Sequence, residues 1–105
     1  MWNAPTEKQL EALPKLGDQE HTPLKDQIIK MHFFISGSDW YITEYGKEYR
    51  EFFGYAILNG DIEMSEWGYI SFDELLGIKV GYLEIDRDVY WKPKKAGEIK
   101  NIVIH

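Results

Sequence analysis

The run MHFFISGSDWYITEYGKEYREFFGYAILNGDIEMSEWGY, residues 31–69, decides the fold of this chain. Its apolar residues recur at every second position, which is the period of a β-strand with one face in a core. Two short turn signals, Gly37-Ser38 and Asn59-Gly60, divide the run into strand-length segments. The pattern predicts an antiparallel sheet built from successive hairpins.

The register of each predicted hairpin brings a carboxylate to the more apolar face of the sheet. A turn at Gly37-Ser38 sets Met31 opposite Glu44 on that face, with His32 on the other face. A turn at Asn59-Gly60 gives the pairs Ile57 with Ile62, Tyr55 with Met64 and Phe53 with Glu66. The sequence therefore predicts Glu44 and Glu66 as acids among large hydrophobic side chains.

Short helices are predicted on both sides of this run. Thr6 with Gln9, and Ser71 with Glu74, have the spacing of a capping box at the start of a helix. The second of these helices is predicted over residues 72–76, with Gly77 as its end. The composition between the first helix and the sheet is that of an ordered loop or arm.

The whole chain, residues 1–105, is predicted to form a single α+β domain. Residues 1–27 form the N-terminal helix and arm, and residues 28–85 form a meander that ends in a strand over 79–85. Residues 86–105 form a loop with a short helix or edge strand at 99–104. The predicted sheet has four to five antiparallel strands, with the short helices on one face or end.

Composition excludes several classes of function. The chain has no cysteine, so thiolate catalysis and cysteine-based metal sites are excluded, and a reducing cytoplasm is favoured. No apolar run approaches the length of about 18 residues that a membrane span needs, so no membrane association is expected. The net charge is −6. Nine acids against two bases give residues 51–88 a net charge of −7, so no direct nucleic-acid binding is expected.

Four sequence blocks carry a resemblance to a known family. The blocks DWY, FFGYAILNGD, EWGY and DRD, together with the opening MWNAPTEKQLEALPKL, resemble the bacterial family catalogued as domain of unknown function 2958. Members of that family are often carried on plasmids, phages and other mobile elements. The resemblance implies an accessory role in the cytoplasm and transfers no catalytic site, cofactor or activity.

One interpretation of the two acids is catalytic. Glu44, Glu66 and His32 would then line an aromatic pocket, with the paired carboxylates acting as in glycoside hydrolysis. The competing interpretation is structural, with each acid accepting hydrogen bonds from neighbouring groups. A chain of 105 residues leaves little room for a deep substrate cleft, which favours the structural interpretation.

Metal binding is a weaker candidate. Asp86 and Asp88 lie in an Asp-Arg-Asp triplet, and His32 or Glu84 could complete a set of oxygen and nitrogen ligands. The triplet lacks the glycine and the distal glutamate of a calcium-binding loop. We expect a strand-ending turn here, with no metal and no cofactor.

A surplus of aromatic residues favours a binding function. Phe, Trp and Tyr make up 15% of the chain, so some are expected at the surface, where they anchor interfaces. The candidate binding residues on the less apolar face are Phe34, Tyr41, Phe52, Asp61, Glu63 and Trp67. This face could be covered by the N-terminal arm, by a second copy of the chain or by a partner protein. The leading interpretation is a non-catalytic, protein-binding accessory factor of a mobile element that blocks or modulates a host machine.

Overall fold

A computed structural model describes residues 1–103 of the chain. The helices are α1 (Glu7–Glu11) and α2 (Phe72–Gly77), with 3-10 turns at Leu24–Asp26 and Ala96–Glu98. The strands are, in chain order, β1 (Ile28–Ile29), β2 (Met31–Ile35), β3 (Ser38–Gly46), β4 (Glu51–Ile57), β5 (Glu66–Ser71), β6 (Lys79–Val80), β7 (Leu83–Glu84), β8 (Asp86–Arg87) and β9 (Lys94–Lys95).

Five of these strands form one antiparallel sheet in the spatial order β5-β4-β3-β2-β8. Strands β2 to β5 follow one another as a meander, and β8 returns later in the chain to pair with β2. Strands β1 and β9, and strands β6 and β7, form two small additional ladders. The predicted α+β fold with an antiparallel sheet is confirmed.

Both predicted helix starts are also confirmed. The Thr6 hydroxyl accepts a hydrogen bond from the Gln9 amide, and the Gln9 side chain accepts one from the Thr6 amide. The Ser71 hydroxyl accepts a hydrogen bond from the Glu74 amide at the start of α2. These bonds satisfy amides that have no partner inside the helix. Each helix therefore begins where its local sequence predicts.

The sheet buries both of its faces. We call the side packed against α1 and α2 the helix-covered face, and the side packed against the N-terminal arm and residues 96–102 the loop-covered face. The helix-covered core contains Leu10, Leu13, Met31, Phe33, Ile35, Trp40, Ile42, Tyr45, Phe52, Ile70, Phe72, Leu75 and Ile85. The core of the loop-covered face contains Ile29, Tyr41, Tyr55, Ile57, Ala96 and Ile102.

The first hairpin turns one residue earlier than predicted. Its turn residues are Ser36 and Gly37, with φ of 36° and 89°, and Met31 pairs with Ile42 instead of Glu44. Glycine tolerates positive φ at no steric cost, and both central positions of a type I′ turn require it. The register shift is two residues, so the predicted apolar face of β2 is still correct.

A β-bulge at Thr43 overturns the predicted position of Glu44. Residue Ile42 pairs with Gly54, but Glu44 already pairs with Phe53, so Thr43 is an extra residue in β3. An extra residue reverses the alternation of side chains beyond it. Glu44 therefore lies on the loop-covered face, while Tyr45 enters the helix-covered core.

The second predicted hairpin is wrong as well. Asn59 and Gly60 do adopt positive φ, of 54° and 70°, but β5 begins only at Glu66. The amides of Asn59 and Gly60 bond to the first hairpin, at the Ser38 hydroxyl and the Gly37 carbonyl. Residues 58–65 form a long loop, and Tyr55 and Phe53 pair with Trp67 and Tyr69 instead of the predicted Met64 and Glu66. Glu66, expected inside, is exposed opposite Ala56.

The C-terminal third differs from expectation in two places. The strand predicted over 79–85 is interrupted at Gly81, where φ is 61°, and forms the β6–β7 ladder instead. Residues 99–103 contain neither helix nor strand, and position 104 of the predicted terminal element lies outside the described residues. Neither helix in the part of the chain that the structure describes is long and apolar enough to cross a bilayer.

Candidate functional site

The predicted aromatic binding residues do not form one free surface. Phe52 is fully buried in the helix-covered core, which contradicts its predicted position on the opposite face. Tyr41 is on the loop-covered face but is also buried. Trp67 is half-buried against that same core, and Phe34 is exposed. These four residues therefore do not form a single aromatic surface.

Glu44 is buried and anchors the N-terminal arm. Its two carboxylate oxygens accept hydrogen bonds from the backbone amides of Gly17 and Gln19, at 3.1 and 2.6 Å. Charged acceptors make stronger hydrogen bonds than neutral ones, and each bond also satisfies an amide of the arm. These contacts account for a buried carboxylate at this position without a catalytic role.

A glutamine network extends this anchor and was not foreseen from the sequence. The Gln19 amide group donates to the Thr43 carbonyl at 3.1 Å, and its oxygen accepts from the Ile28 amide at 2.8 Å. The buried side chain of Gln27 donates to the Gln19 carbonyl at 3.2 Å. Nothing in the local sequence distinguishes these two glutamines from exposed ones.

His32 lies between two aspartates within an aromatic cluster. Its Nε2 atom is 2.7 Å from a carboxylate oxygen of Asp39, and its Nδ1 atom is 3.7 Å from one of Asp88. The imidazole stacks on the Tyr41 ring, with centroids 4.6 Å apart, and contacts Trp91. The histidine thereby links β2, β3 and the segment after β8.

The three residues of the catalytic interpretation are not brought together. Glu44 and His32 are on the loop-covered face but have separate partners, and Glu66 is exposed at the position opposite Ala56 on the helix-covered face. Among residues 1–103, no three His, Asp or Glu side chains converge closely enough to hold a metal ion. In the candidate ligand pair of His32 and Asp88, the Nδ1 atom lies 3.7 Å from the carboxylate and makes no hydrogen bond to any described residue.

Burial raises the pKa of two tyrosines, Tyr41 and Tyr45. Desolvation raises the pKa of Tyr41, and the nearby charge of Asp39 adds to this effect. Desolvation also raises the pKa of Tyr45, with a further contribution from the charge of Glu7. Both phenols are therefore held in their neutral form, since burial disfavours the anion. Neither group has the lowered pKa of a phenolate nucleophile.

Residues 58–65, which we call the exposed loop, present three apolar side chains to solvent. Leu58, Ile62 and Met64 are 54%, 39% and 77% exposed. Hydrogen bonds nevertheless connect parts of the loop to one another and to β4. The Asp61 amide donates to the Leu58 carbonyl, the Met64 amide donates to the Asp61 carboxylate, and Ser65 bonds to the Tyr55 hydroxyl.

Strand β5 continues from this loop and forms one margin of the sheet. The Phe72 amide bonds to the Arg50 carbonyl, and this bond fixes which β5 residues face β4. Because hydrogen-bonded and non-hydrogen-bonded pairs alternate along an antiparallel ladder, the backbone groups of Trp67 and Tyr69 point away from β4. Within residues 1–103, no strand pairs with this margin. We call it the open edge.

Two cavities adjoin the sheet. One, of about 430 Å³, lies between the arm and the open edge and is lined by Glu20, Glu44, Phe53 and Tyr69, among others. The other, of about 580 Å³, lies beside α1 and is lined mainly by Leu10, Leu13, Leu16, Tyr45 and Tyr49. Only the first of them combines acidic side chains with an exposed aromatic ring of β5.

Comparisons of the chain with protein-family models, with curated proteins and with solved structures find no match. The resemblance to domain of unknown function 2958 therefore stays a prediction.

Proposed function

We propose that this protein is a non-catalytic, protein-binding accessory factor and that the exposed loop is its principal contact surface. The observation that carries the proposal is that the loop is hydrogen-bonded and at the same time exposes apolar side chains. Hydrogen bonds fix the loop, yet it presents Leu58, Ile62 and Met64 to solvent. A fixed apolar patch loses little conformational entropy on binding, which favours association.

The charge around the loop defines the kind of partner. Residues 58–78 contain five acids and no lysine or arginine. The acids are Asp61, Glu63, Glu66, Asp73 and Glu74. An acidic surface attracts a basic partner over long distances and accelerates its association. The apolar residues between the acids would then determine how slowly the partner dissociates.

The cellular role follows from the sequence resemblance and not from the geometry. Families carried on plasmids and phages supply accessory factors, so we place this protein in the cytoplasm as a modulator or inhibitor of a host or defence machine. The dispersal of Glu44, Glu66 and His32 supports a binding role over the catalytic alternative.

The test is affinity capture with paired variants. The parent protein and a variant with Ile62→Ser and Met64→Ser are immobilised and exposed to lysate of the native host. The control is Tyr82→Ser, which removes a side chain that is 101% exposed on the β6–β7 turn, outside the loop. We expect a basic protein to be retained by the parent and the control, and lost by the loop variant.

Salt dependence supplies a second measurement on the retained protein. Raising the salt concentration screens charges beyond a Debye length of about 10 Å at 0.1 M. The association rate should therefore fall more than the dissociation rate rises. Retention of the same proteins by the parent and the loop variant would contradict the proposal.

A further inference from the structure

We infer that the open edge of β5 accepts an extended, basic segment of the partner as a sixth strand of the sheet. This inference rests on the proposed function and specifies how the partner is held. Strand addition supplies affinity through main-chain hydrogen bonds and specificity through alternate side chains. Each of these requirements has a counterpart in β5.

The main-chain requirement is met by Trp67 and Tyr69. Each presents one N–H and one C=O away from β4, in the plane of the sheet. Glu66, Gly68 and Ile70 direct theirs to β4 instead. An incoming strand can therefore form the same alternating ladder that β4 forms on the inner side.

The side-chain requirement is met differently on the two faces. On the helix-covered face, a Cβ atom added at Gly68 would have no neighbour within 4 Å, so a partner side chain has room there. On the loop-covered face, Tyr69 is 69% exposed and borders the cavity of about 430 Å³ that Glu20 and Glu44 also line. A lysine or arginine entering here would pack over the tyrosine ring and approach the Glu20 carboxylate.

Charge decides between a basic segment and a second copy of this chain. Antiparallel pairing of two β5 strands would bring Glu63 and Glu66 of one copy toward Asp73 and Glu74, which follow β5, of the other. Like charges at close range disfavour such a pair. A basic segment gains from the same acids, so the heterologous partner is the favoured occupant.

The test uses peptides selected on the parent protein from a display library of random sequences. We expect the enriched peptides to be rich in Lys and Arg, with apolar residues at alternate positions. Their affinity is then measured for two variants of one position, Tyr69→Ala and Tyr69→Pro. Both lose the ring, but only proline also removes the outward N–H, and it removes no bond to β4.

Proline should weaken binding at least about tenfold more than alanine, since the ladder loses a hydrogen bond and the proline ring obstructs the edge. Amide exchange on the parent gives a readout that needs no variant. The amides of Trp67 and Tyr69 should become protected when the peptide binds. Equal affinity of the two variants, protection at other sites only, or selected peptides without Lys and Arg would each overturn the inference.

The remaining outcomes separate the inference from the proposed function. If lysate capture retains a partner through the exposed loop but Tyr69→Pro and Tyr69→Ala bind it equally, the function stands and the sixth strand is wrong. A parent dimer that Tyr69→Pro dissociates would identify a second copy as the occupant and would also overturn the inference.

Discussion

The two edge strands of the sheet, β8 and β5, differ in whether their outward backbone groups form hydrogen bonds. At β8, the Trp2 amide bonds to the Ile85 carbonyl at 2.8 Å, and the Arg87 amide bonds to the Trp2 carbonyl at 3.3 Å. The Arg87 side chain adds a bond to the Asn3 carbonyl. At β5, no described residue forms such bonds with the outward groups of Trp67 and Tyr69.

This difference supports the proposal that the open edge accepts a partner strand. Unpaired edges promote aggregation, and proteins usually protect them with lysine, proline, a bulge or a covering segment. Strand β5 has the sequence EWGYIS, which contains neither lysine nor proline. The chain covers one edge with its own N-terminal residues and leaves the other with aromatic side chains and a glycine.

The largest expected effect contrasts two glycines that pair across β4 and β5. A Cβ atom at Gly54 would lie 2.1 Å from the Tyr41 carbonyl oxygen, whereas one at Gly68 would meet nothing within 4 Å. Gly54→Ala should lower the free energy of unfolding by at least about 3 kcal/mol, as backbone must move. Gly68→Ala should raise it by up to about 1 kcal/mol. Urea denaturation of both variants measures this, and equal effects would contradict the contrast between inner and edge strand.

Amide hydrogen exchange compares the two edges directly. The Arg87 amide is bonded to Trp2, whereas the amides of Trp67 and Tyr69 have no partner among the described residues. In the free protein, the two β5 amides should exchange at least about 100-fold faster than that of Arg87, because bonded amides exchange only after opening. Slow exchange at Trp67 and Tyr69 would show that the edge is already covered.

Substitutions of two glutamates test whether Glu66, the acid at the open edge, contributes to the stability of the fold. Glu44→Gln replaces one accepting oxygen with a donor that faces an arm amide, so the free energy of unfolding should fall by about 1.5–3 kcal/mol. Glu66→Gln, at an exposed position, should change it by less than about 0.5 kcal/mol. Thermal and urea unfolding of the two variants provide the measurement. A destabilised Glu66→Gln protein would assign that carboxylate a role in the fold.

The smallest expected effect is on the pH dependence of stability, and it concerns the buried residue Tyr45. The Tyr45 hydroxyl is buried and has no hydrogen-bond partner among residues 1–103, and burial raises its pKa above the ordinary value of 10.0. The stabilisation from the neutral phenol is complete below pH 10 and is lost as the pH rises through the raised folded-state pKa. Tyr45→Phe should therefore keep its stability at pH 7 and show a shallower alkaline decline than the parent. An unchanged alkaline decline would mean that the hydroxyl does not contribute.

Local sequence signals predicted the structure correctly where no distant contact competes with them. The capping residues Thr6 and Ser71 start α1 and α2 because their bonds involve only neighbouring amides. The apolar face of β2 was also predictable, since a register error of two residues preserves the face. The bulge at Thr43 was not, because an extra residue leaves no signature in a period-two pattern.

The exposed loop could not be predicted for a different reason. Asn59-Gly60 has the strongest short-range hairpin signal in the chain, and both residues adopt the expected positive φ. Their amides, however, bond to Ser38 and Gly37 of the neighbouring turn. A tertiary contact thus determines where the next strand begins, and Ile62 and Met64 come to the surface. Strand alternation places Phe52 and Tyr55 on opposite faces, but because both faces of the central strands are buried, the sequence could not show that Phe52 is the one that joins Phe33 in the helix-covered core.

The covered edge has a consequence for the order of events during synthesis. Asn3 and its partner Arg87 are separated by 84 positions, so the N-terminal residues cannot cover β8 until residue 87 has left the ribosome. Until then β2, not β8, is the outermost strand beside the already translated β3. Among the described residues, the five-stranded sheet therefore lacks cover at both edges until residue 87 has been translated, and at β5 alone afterwards. A partner or chaperone that recognises unpaired strands would meet a different surface on the growing chain from the one on the finished protein.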